Sequence, residues 1–216
     1  STKKNICVFS LEMSAEQLAS RMLSSEALVD SYAIRSGELN PEQYKKLADA
    51  AADLSECNIL IDDTTGITVT RMKAKLRRVK NLGLVIVDYL QLMQSERKTD
   101  SRVLEVGDIS RGLKLLAKDL KIPVICCAQL SRGPESRTDK RPMLSDLRDS
   151  GAIEQDADIV LFLYRDEYYK EPGEGEQSVA ECIVAKNRHG STGTVKLGWV
   201  GQFTKFITQD FEHEEP

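Results

Sequence analysis

Residues 83–88 read GLVIVD, an uncharged run of five residues that ends in an aspartate. A run of this length with no charge before its last residue predicts a strand that is buried on both faces. Residues 5–11, 58–61, 122–128 and 159–164 are apolar runs of the same kind, and stretches with helical periodicity separate them. Strands that alternate with helices predict an α/β fold whose mostly parallel sheet is flanked by helices.

The segments between these strands carry helix starts. Ser14 and Gln17 form the pattern S-x-x-Q, which is a capping box. Asn40 followed by Pro41 places a capping residue before a proline at the first helical position. We expect further helices to begin at Thr70 and to cover the periodic apolar positions between 103 and 120.

The last quarter of the chain has a different pattern. Residues 178–186 and 194–200 are strand-like and flank Gly190 and Gly193, which predicts a C-terminal antiparallel hairpin. A length of 216 residues fits one domain. We therefore expect residues 1–216 to form a single domain, with residues 208–216 as a disordered acidic tail.

Hydrophobic residues make up 41% of the chain and charged residues 30%, with a formal net charge of −4. This balance is typical of a globular protein and excludes a disordered or collagen-like chain. No apolar stretch approaches the roughly 18 residues that a membrane span needs, so the sequence predicts no membrane partner. The five cysteines form no C-x-x-C pair, and only two histidines are present. We expect reduced core cysteines in a cytoplasmic protein and no zinc site.

Two basic clusters stand out from the nearly neutral total. The first has six cations within ten residues: Arg71, Lys73, Lys75, Arg77, Arg78 and Lys80. The second lies in a stretch with Gly, Pro and Ser: Arg132, Arg137, Lys140, Arg141 and Arg148. Each cluster is either a solvated surface or a surface that meets phosphate or an acidic partner.

Three predicted strands deliver polar residues to the edge where parallel sheets bind ligands. Asp88 ends its strand, which suits a carboxylate that holds the water shell of Mg²⁺, although many such aspartates only cap a helix. Glu12 is suited to act as the base for an attacking water, or else is a first-turn carboxylate favoured by the helix dipole. Gln129 is a neutral donor and acceptor that can sense a γ-phosphate. Together the three residues favour nucleotide hydrolysis.

Five stretches of the chain carry a family resemblance. FSLEMS starts at Phe9, VIVDYLQLM at Val85, AQLSR at Ala128, KRPMLSDLRDSGAIEQDADIVLFLYRDEYY at Lys140 and AKNRHGSTGTV at Ala185. In this order, to about Ile207, the chain resembles the C-terminal motor domain of bacterial replicative DNA helicases, the DnaB family. The resemblance implies a RecA-like P-loop NTPase core. It also implies a ring of six subunits that threads one DNA strand and unwinds the duplex with ATP.

The resemblance assigns roles around the nucleotide. Glu12 matches the catalytic glutamate that polarises the attacking water. Asp88 matches the Walker B aspartate, which orients Mg²⁺ through its waters, and Gln129 matches the γ-phosphate sensor. Arg21, on the helix that follows Glu12, matches a basic residue that approaches the phosphates; the alternative is a surface arginine.

Further matches lie near the C-terminal end. Lys186 and Arg188 match residues that reach into the ATP site of the neighbouring subunit, and a spacing of two residues on a strand puts both on the same side. Without the resemblance they would be residues that protect a sheet edge. Arg148, Asp149 and Gly151 match the DNA-binding loop, in which Asp149 stands where the family pattern leads us to expect glutamate.

One departure from the family pattern is large. The P-loop, G-x-x-x-x-G-K-[ST], cradles phosphates with backbone amides and a lysine. None of the 13 glycines in this sequence is followed by lysine. The family's P-loop comes just before the strand that begins here at Asn5. We therefore expect a fragment that starts after the P-loop and lacks the N-terminal collar domain, rather than a degenerate relative that does not hydrolyse ATP.

The leading hypothesis is an ATP-dependent DNA helicase that works at the replication fork, with this chain as part of its motor and inactive by itself. ATP and Mg²⁺ are the implied cofactors. Single-stranded DNA, further copies in a homo-hexamer, primase and a helicase loader are the implied partners, in the bacterial cytoplasm at the nucleoid. The alternatives are another RecA-like ATPase such as a recombinase, and a DNA-binding or ring-assembly module without hydrolysis.

Overall fold

The computed structural model describes residues 3–97, 99–166 and 178–208. Of the predicted tail, residues 208–216, only Thr208 is described, as the last residue of a strand, and the rest lies outside the described residues. The helices are α1 Ala15–Ala27, α2 Ser31–Ser36, α3 Pro41–Ser55, α4 Val69–Leu76, α5 Arg102–Leu120 and α6 Gly151–Asp156. The strands are β1 Asn5–Ser10, β2 Ile59–Asp62, β3 Leu82–Asp88, β4 Val124–Cys126, β5 Ile159–Arg165, β6 Ser178–Asn187, β7 Gly193–Val200 and β8 Lys205–Thr208. Short 3-10 helices connect several of these elements.

The chain forms two compact units. The first falls within Ser1–Ser20, Ala51–Gly133 and Leu144–Ala157, and the second within Arg21–Ala50, Pro134–Met143 and Asp158–Pro216. Each unit has its own four-stranded sheet. The prediction of a single domain over residues 1–216 stays a prediction.

The first unit contains the parallel sheet, with strand order β2-β1-β3-β4. The strand that ends at Asp88 lies inside this sheet, between β1 and β4, and Val85 and Val87 on it are fully buried. Apolar side chains of α4 and α5, such as Met72 and Ile109, complete the core of the unit. The predicted α/β fold with a parallel sheet and helices is therefore confirmed.

The second unit contains an antiparallel sheet with strand order β5-β6-β7-β8. The predicted hairpin is confirmed as β6 and β7, and it is part of this larger sheet. The expectation that residues 159–164 continue the parallel sheet is wrong, because β5 pairs antiparallel with β6. Its side chains alternate between buried and exposed, with Phe162 buried and Leu161 more than half exposed. A uniformly apolar run hides that alternation, since both faces of the strand have the same composition.

The predicted helix starts are confirmed at two positions. The Ser14 backbone N–H donates to Gln17 Oε1, and the Gln17 N–H donates back to Ser14 Oγ, so the capping box of α1 is formed. Asn40 and Gln43 make the same reciprocal pair at the start of α3. The basic helix begins earlier than predicted, at Val69 rather than at Thr70, because the Thr68 side chain caps it.

All five cysteines are free, but only Cys7 belongs to the buried core. Cys57 and Cys127 are exposed, which corrects the prediction of core cysteines for these two positions. In the part of the chain that the structure describes, no helix is both long enough and apolar enough to cross a membrane.

Candidate functional site

The carboxyl ends of β1, β3 and β4 meet at one edge of the parallel sheet. Ser10 and Asp88 are register partners, and the Leu11 N–H donates to the Asp88 carbonyl at 2.7 Å. The Cys127 N–H donates to the Val87 carbonyl at 2.8 Å. The peptide bond between Asp88 and the next residue is cis. The hydrogen bonds hold the residues that follow the three strands close together.

A cleft of about 260 Å³ lies at this edge, and its lining comes from all three strand ends. The lining residues are Glu12, Asp88, Tyr89, Cys127, Ala128 and Gln129. The structure therefore brings together the three polar residues that the sequence predicted to converge, although it does not test their roles.

Local hydrogen bonds fix the turn that presents Glu12. Ser10, which is buried, donates from Oγ to the Met13 carbonyl at 2.7 Å. The capping box then starts α1, and the Ala15 N–H donates to Asp63 Oδ2 at 3.0 Å. Glu12 lies between these two anchors, and it is exposed. These hydrogen bonds hold the backbone around Glu12 in place, while its carboxylate remains accessible.

The two carboxylates of the cleft are not used in ion pairs. Among the described residues, neither Glu12 nor Asp88 forms a salt bridge. Although Cys127 is exposed as a residue, desolvation of its sulfur by neighbouring groups and the charge of Asp88 raise the pKa of the thiol, which disfavours the thiolate. The cleft therefore offers acidic oxygens and an amide to a ligand, without a thiolate nucleophile.

The described residues contain no group of three or more His, Cys, Asp or Glu side chains that could enclose a metal ion. The carboxylates at the cleft still fit Mg²⁺, because Mg²⁺ usually keeps several waters and needs only one or two protein carboxylates. Asp88 at the cleft is such a carboxylate.

Gln91 is a residue of this region that sequence reasoning missed. Its side-chain amide makes two hydrogen bonds with the backbone of Gln129, one to the N–H and one to the carbonyl, both at 3.1 Å. The only sequence signal was its place three residues after Asp88, inside the stretch DYLQLM. A contact between residues 38 positions apart leaves no periodic pattern.

Lys186 and Arg188 lie in the second unit, near the end of β6. The strand ends at Asn187, so Lys186 is in the strand and Arg188 is in the turn that follows. The premise that both residues lie in one strand therefore does not hold for Arg188, and the shared direction of the two side chains stays a prediction. The Arg188 N–H donates to the Asp158 carbonyl at 2.9 Å, and Arg188 Nε lies 3.7 Å from Asp158 Oδ1.

Arg148, Asp149 and Gly151 lie in a kinked stretch that leads into α6. Two short 3-10 helices within Leu144–Ser150 are separated by a kink at Leu147, and α6 begins at Gly151. A Cβ atom added at Gly151 would have no neighbour within 4 Å, so a partner can approach its backbone. The side chains of Arg148 and Asp149 are outside the described set, and their contact with DNA stays a prediction.

Some of the remaining basic residues form ion pairs. In the first cluster, Lys73 pairs with Asp119 and the exposed Lys75 pairs with Asp62. Arg71, Arg77, Arg78 and Lys80 are exposed as well. In the second cluster, Arg141 is engaged by Glu181. Arg21 is exposed on α1 and falls in the second unit, and its approach to a phosphate stays a prediction.

The parallel sheet and the cleft at its carboxyl edge define the class: this is an α/β fold of the kind that binds ligands where its strands end. Residues 1–208 match the family described as DnaB-like helicase C terminal domain. The chain belongs to that family.

Relatives and solved structures agree with this assignment. The chain is 49% identical to a protein named replicative DNA helicase DnaB of Geobacillus stearothermophilus, over 99% of this chain and 48% of that protein. It thus spans about half the length of this curated relative. A solved structure of an ATPase domain superposes with a TM-score of 0.90 at 38% identity, covering 96% of this chain and 75% of that one. A DnaB-like replicative helicase solved in a study of its interactions with primase also superposes at 0.90 and 38% identity, covering 96% of this chain and 52% of the other.

Proposed function

We propose that this chain is part of the motor of a ring-shaped replicative helicase, which hydrolyses ATP to unwind duplex DNA at the replication fork. The observation that carries the proposal is the cleft, where Glu12, Asp88 and Gln129 converge from three neighbouring strand ends. Membership of the DnaB-like family supports the same function.

Each residue of the cleft has a chemical task in this proposal. Glu12 accepts the proton of the water that attacks the terminal phosphate, and its lack of an ion pair among the described residues leaves its oxygens available. Gln129 contacts the terminal phosphate with its amide and reports whether that phosphate is present. Asp88 holds Mg²⁺ through waters, and Mg²⁺ bound with ATP neutralises charge on the phosphates.

A second set of residues completes the site from a neighbouring subunit. Lys186 and Arg188 place cations against the nucleotide of the next chain in a homo-hexamer. Separately from this pair, Arg21 on α1 approaches the phosphates. The position of Arg188 supports this role, because it lies in the turn after β6 and its side chain is about half exposed. A partly exposed cation in a turn is accessible to a neighbouring chain.

Single-stranded DNA is the proposed polymer partner, bound by the stretch that contains Arg148, Asp149 and Gly151. The accessible backbone at Gly151 supports contact with a phosphate. Primase and a helicase loader are the proposed protein partners, and the related structure that was solved in a study of interactions with primase supports the first of these. The proposed location is the bacterial cytoplasm, at the nucleoid.

The proposal is tested by measuring ATP hydrolysis and forked-duplex unwinding by the full-length protein, with and without single-stranded DNA. Asp88→Asn is expected to lower hydrolysis roughly 10–100-fold, as is typical when a residue behind a metal's waters is lost. Asp108→Asn, on an exposed position of α5, is the matched control. If the wild-type protein does not hydrolyse ATP, the function is contradicted; if Asp88→Asn behaves like its control, the assignment of the cleft is contradicted.

A DNA-binding or ring-assembly module without hydrolysis is the second candidate. The observation in its favour is the absence of a glycine-lysine pair from these 216 residues. It predicts DNA binding without nucleotide turnover in the same assays. Intact mass and peptide mapping of the full-length protein distinguish the two functions, because a peptide with GKT or GKS supplies the missing phosphate cradle.

A further inference from the structure

The side chain of Gln91 forms two hydrogen bonds with the backbone of Gln129. Gln91 Nε2 donates to the Gln129 carbonyl, and Gln91 Oε1 accepts from the Gln129 N–H, both at 3.1 Å. Only asparagine and glutamine carry a donor and an acceptor in one planar group that can complete such a pair. Gln91 is half-buried, whereas Gln129 is exposed. The half-buried Gln91 thus holds the backbone of the exposed Gln129 in place.

The hydrogen bonds between Gln91 and Gln129 lie just beyond the end of the backbone pairing between the two segments. The Cys127 N–H donates to the Val87 carbonyl and the Leu90 N–H donates to the Cys127 carbonyl, and these are the last backbone hydrogen bonds that the structure describes between the two chain segments. At Gln129 the partner is a side chain instead of a strand. Backbone hydrogen bonds between the two segments hold Val87 and Cys127. The backbone of Gln129 is held instead by the side chain of one residue, Gln91.

Gln91 is also tied to helix α5. Its carbonyl accepts a hydrogen bond from Arg102 Nη2, and Arg102 is the first residue of α5. Arg102 Nη1 in turn donates to Glu105 Oε2 at 2.7 Å, which restrains the guanidinium. One residue thus connects the cleft to the start of the longest helix in the described chain.

Helix α5 packs on the stretch that contains the candidate DNA contacts. Ser110 Oγ on α5 donates to Asp156 Oδ2 on α6 at 2.8 Å, and Ser110 is buried. A Cβ atom added at Gly107 would lie 3.4 Å from the Ala152 Cβ, so α5 and α6 pack closely. Helix α5 is therefore in direct contact with α6 at Gly107 and Ser110.

We propose that Gln91 is a positioning residue that couples Gln129 to the DNA-binding stretch. It orients the Gln129 side chain toward the cleft, and it transmits a change at Gln129 to α5 through its carbonyl. This inference rests on the proposed function, because it needs a nucleotide in the cleft and DNA at the start of α6. A merely structural role for Gln91 would lower all activities together, whereas a coupling role lowers the ratio of DNA-stimulated to basal hydrolysis.

The test compares Gln91→Met with wild type in the full-length protein. Methionine has a similar length but can neither donate nor accept as the amide does. The Gln129 amide should exchange its hydrogen faster in the variant, measured by hydrogen-exchange mass spectrometry on peptides that cover residues 127–131. The stimulation of ATP hydrolysis by single-stranded DNA should fall by roughly 5–150-fold, the usual range for coupling between two sites.

Gln94→Met is the matched control. Gln94 is exposed and lies three residues further along the same segment, and its side chain makes no hydrogen bond within the described residues. The control should keep the exchange rate and the DNA stimulation of the wild-type protein. If Gln91→Met keeps both as well, Gln91 is not a positioning residue.

A double variant separates positioning from a general effect. If Gln91 acts through the Gln129 side chain, Gln91→Met should lower the stimulation no further in a Gln129→Ala background. Fully additive losses would overturn the coupling role. Gln91→Glu is the second variant if methionine destabilises the fold: its oxygen would face the Gln129 carbonyl, so stimulation should again fall, and unchanged stimulation would overturn the proposal.

These outcomes are distinct from failure of the proposed function. A wild-type protein without any DNA-stimulated hydrolysis contradicts that function and the coupling built on it. The exchange rate of the Gln129 amide still decides whether Gln91 positions this residue, because that measurement needs neither ATP nor DNA.

Discussion

The two sheets of this protein place their polar residues in different ways. In the parallel sheet every strand ends at the same edge, so Glu12, Asp88 and Gln129 line one cleft. In the antiparallel sheet neighbouring strands end at opposite edges, so the polar residues of successive strands are separated. Strand direction therefore places the polar residues at strand ends together in the parallel sheet and apart in the antiparallel sheet.

The carboxylates at the cleft and the ion pairs of the second sheet are also used differently, although Asp62 at the end of β2 pairs with Lys75. The carboxylates of Glu12 and Asp88 form no ion pair among the described residues. Arg141 in the second unit makes two hydrogen bonds of 2.7 Å to Glu181 and stacks 5.1 Å from the ring centre of Tyr164. A charge whose hydrogen-bonding capacity is used within the fold stabilises structure, whereas a charge without such a partner remains available to a ligand.

Arg188 lies between these two cases, because its pair with Asp158 is long and exposed. If Arg188 completes a neighbour's site, Arg188→Ala should spare ATP binding and remove most DNA-stimulated hydrolysis in the full-length protein. Cations supplied across an interface are worth about 10³–10⁵-fold in other nucleotide hydrolases. His189→Ala, which changes the next residue of the same turn, is the control.

Mixed rings decide which subunit Arg188 serves. An Arg188→Ala chain and a Glu12→Gln chain should each be inactive alone, but a mixed interface can pair an intact Glu12 with an intact neighbouring Arg188. Mixing should therefore restore some hydrolysis once labelled chains show that subunits exchange. Activity equal to the sum of the two variants would mean that Arg188 serves its own subunit.

The parallel sheet is tested most directly at Glu12. In the full-length protein Glu12→Gln should retain nucleotide binding and lower the rate of hydrolysis roughly 10²–10⁴-fold, because an amide cannot accept the proton of water. Glu16→Gln, one helical turn further along the chain and also exposed, is the matched control. An unchanged rate in Glu12→Gln would return this residue to a role at the helix start.

The convergence of the cleft residues was predictable because it follows from strand direction. Once residues 83–88 are identified as a buried parallel strand, its end and those of its neighbours must share an edge. The capping box at Ser14 could also be predicted from the sequence, since both of its hydrogen bonds lie within four residues.

The features that sequence reasoning missed depend on contacts between distant segments. Gln91 holds Gln129 across 38 positions, and Asp63 caps α1 across 48 positions. The backbone contact of Arg188 with Asp158, which follows the register of β6 with β5, also joins segments that are distant in sequence. The sheet in which residues 159–164 pair depends on partner strands, and an apolar run does not specify its partners.

The smallest expected effect concerns the paired charges of the second unit. Glu181→Gln should lower stability by about 1 kcal/mol, the upper end for a partly exposed ion pair, since Arg141 is about half exposed. For a chain of this size, this corresponds to a fall in Tm of about 2–4 °C, measured by thermal unfolding at pH 7. Arg141→Lys should lose part of the same amount, because lysine keeps the charge but cannot form the double hydrogen bond. Glu26→Gln, at an exposed site of the same unit, is the control.

The pH dependence identifies the charge as the cause. The hydrogen bond from Arg141 lowers the pKa of Glu181 in the folded chain, below the value of about 4.3 for an unperturbed glutamate. A group whose pKa is lowered by folding stabilises the fold fully above its unfolded pKa and loses this contribution as the pH falls through its folded pKa. The difference in Tm between wild type and Glu181→Gln should therefore be constant above about pH 5 and shrink as the pH falls below about 4. A difference that persists unchanged at low pH would mean that packing, and not the ion pair, holds Arg141 in place. In that case the contrast between paired and available charges would no longer explain why the two sheets differ.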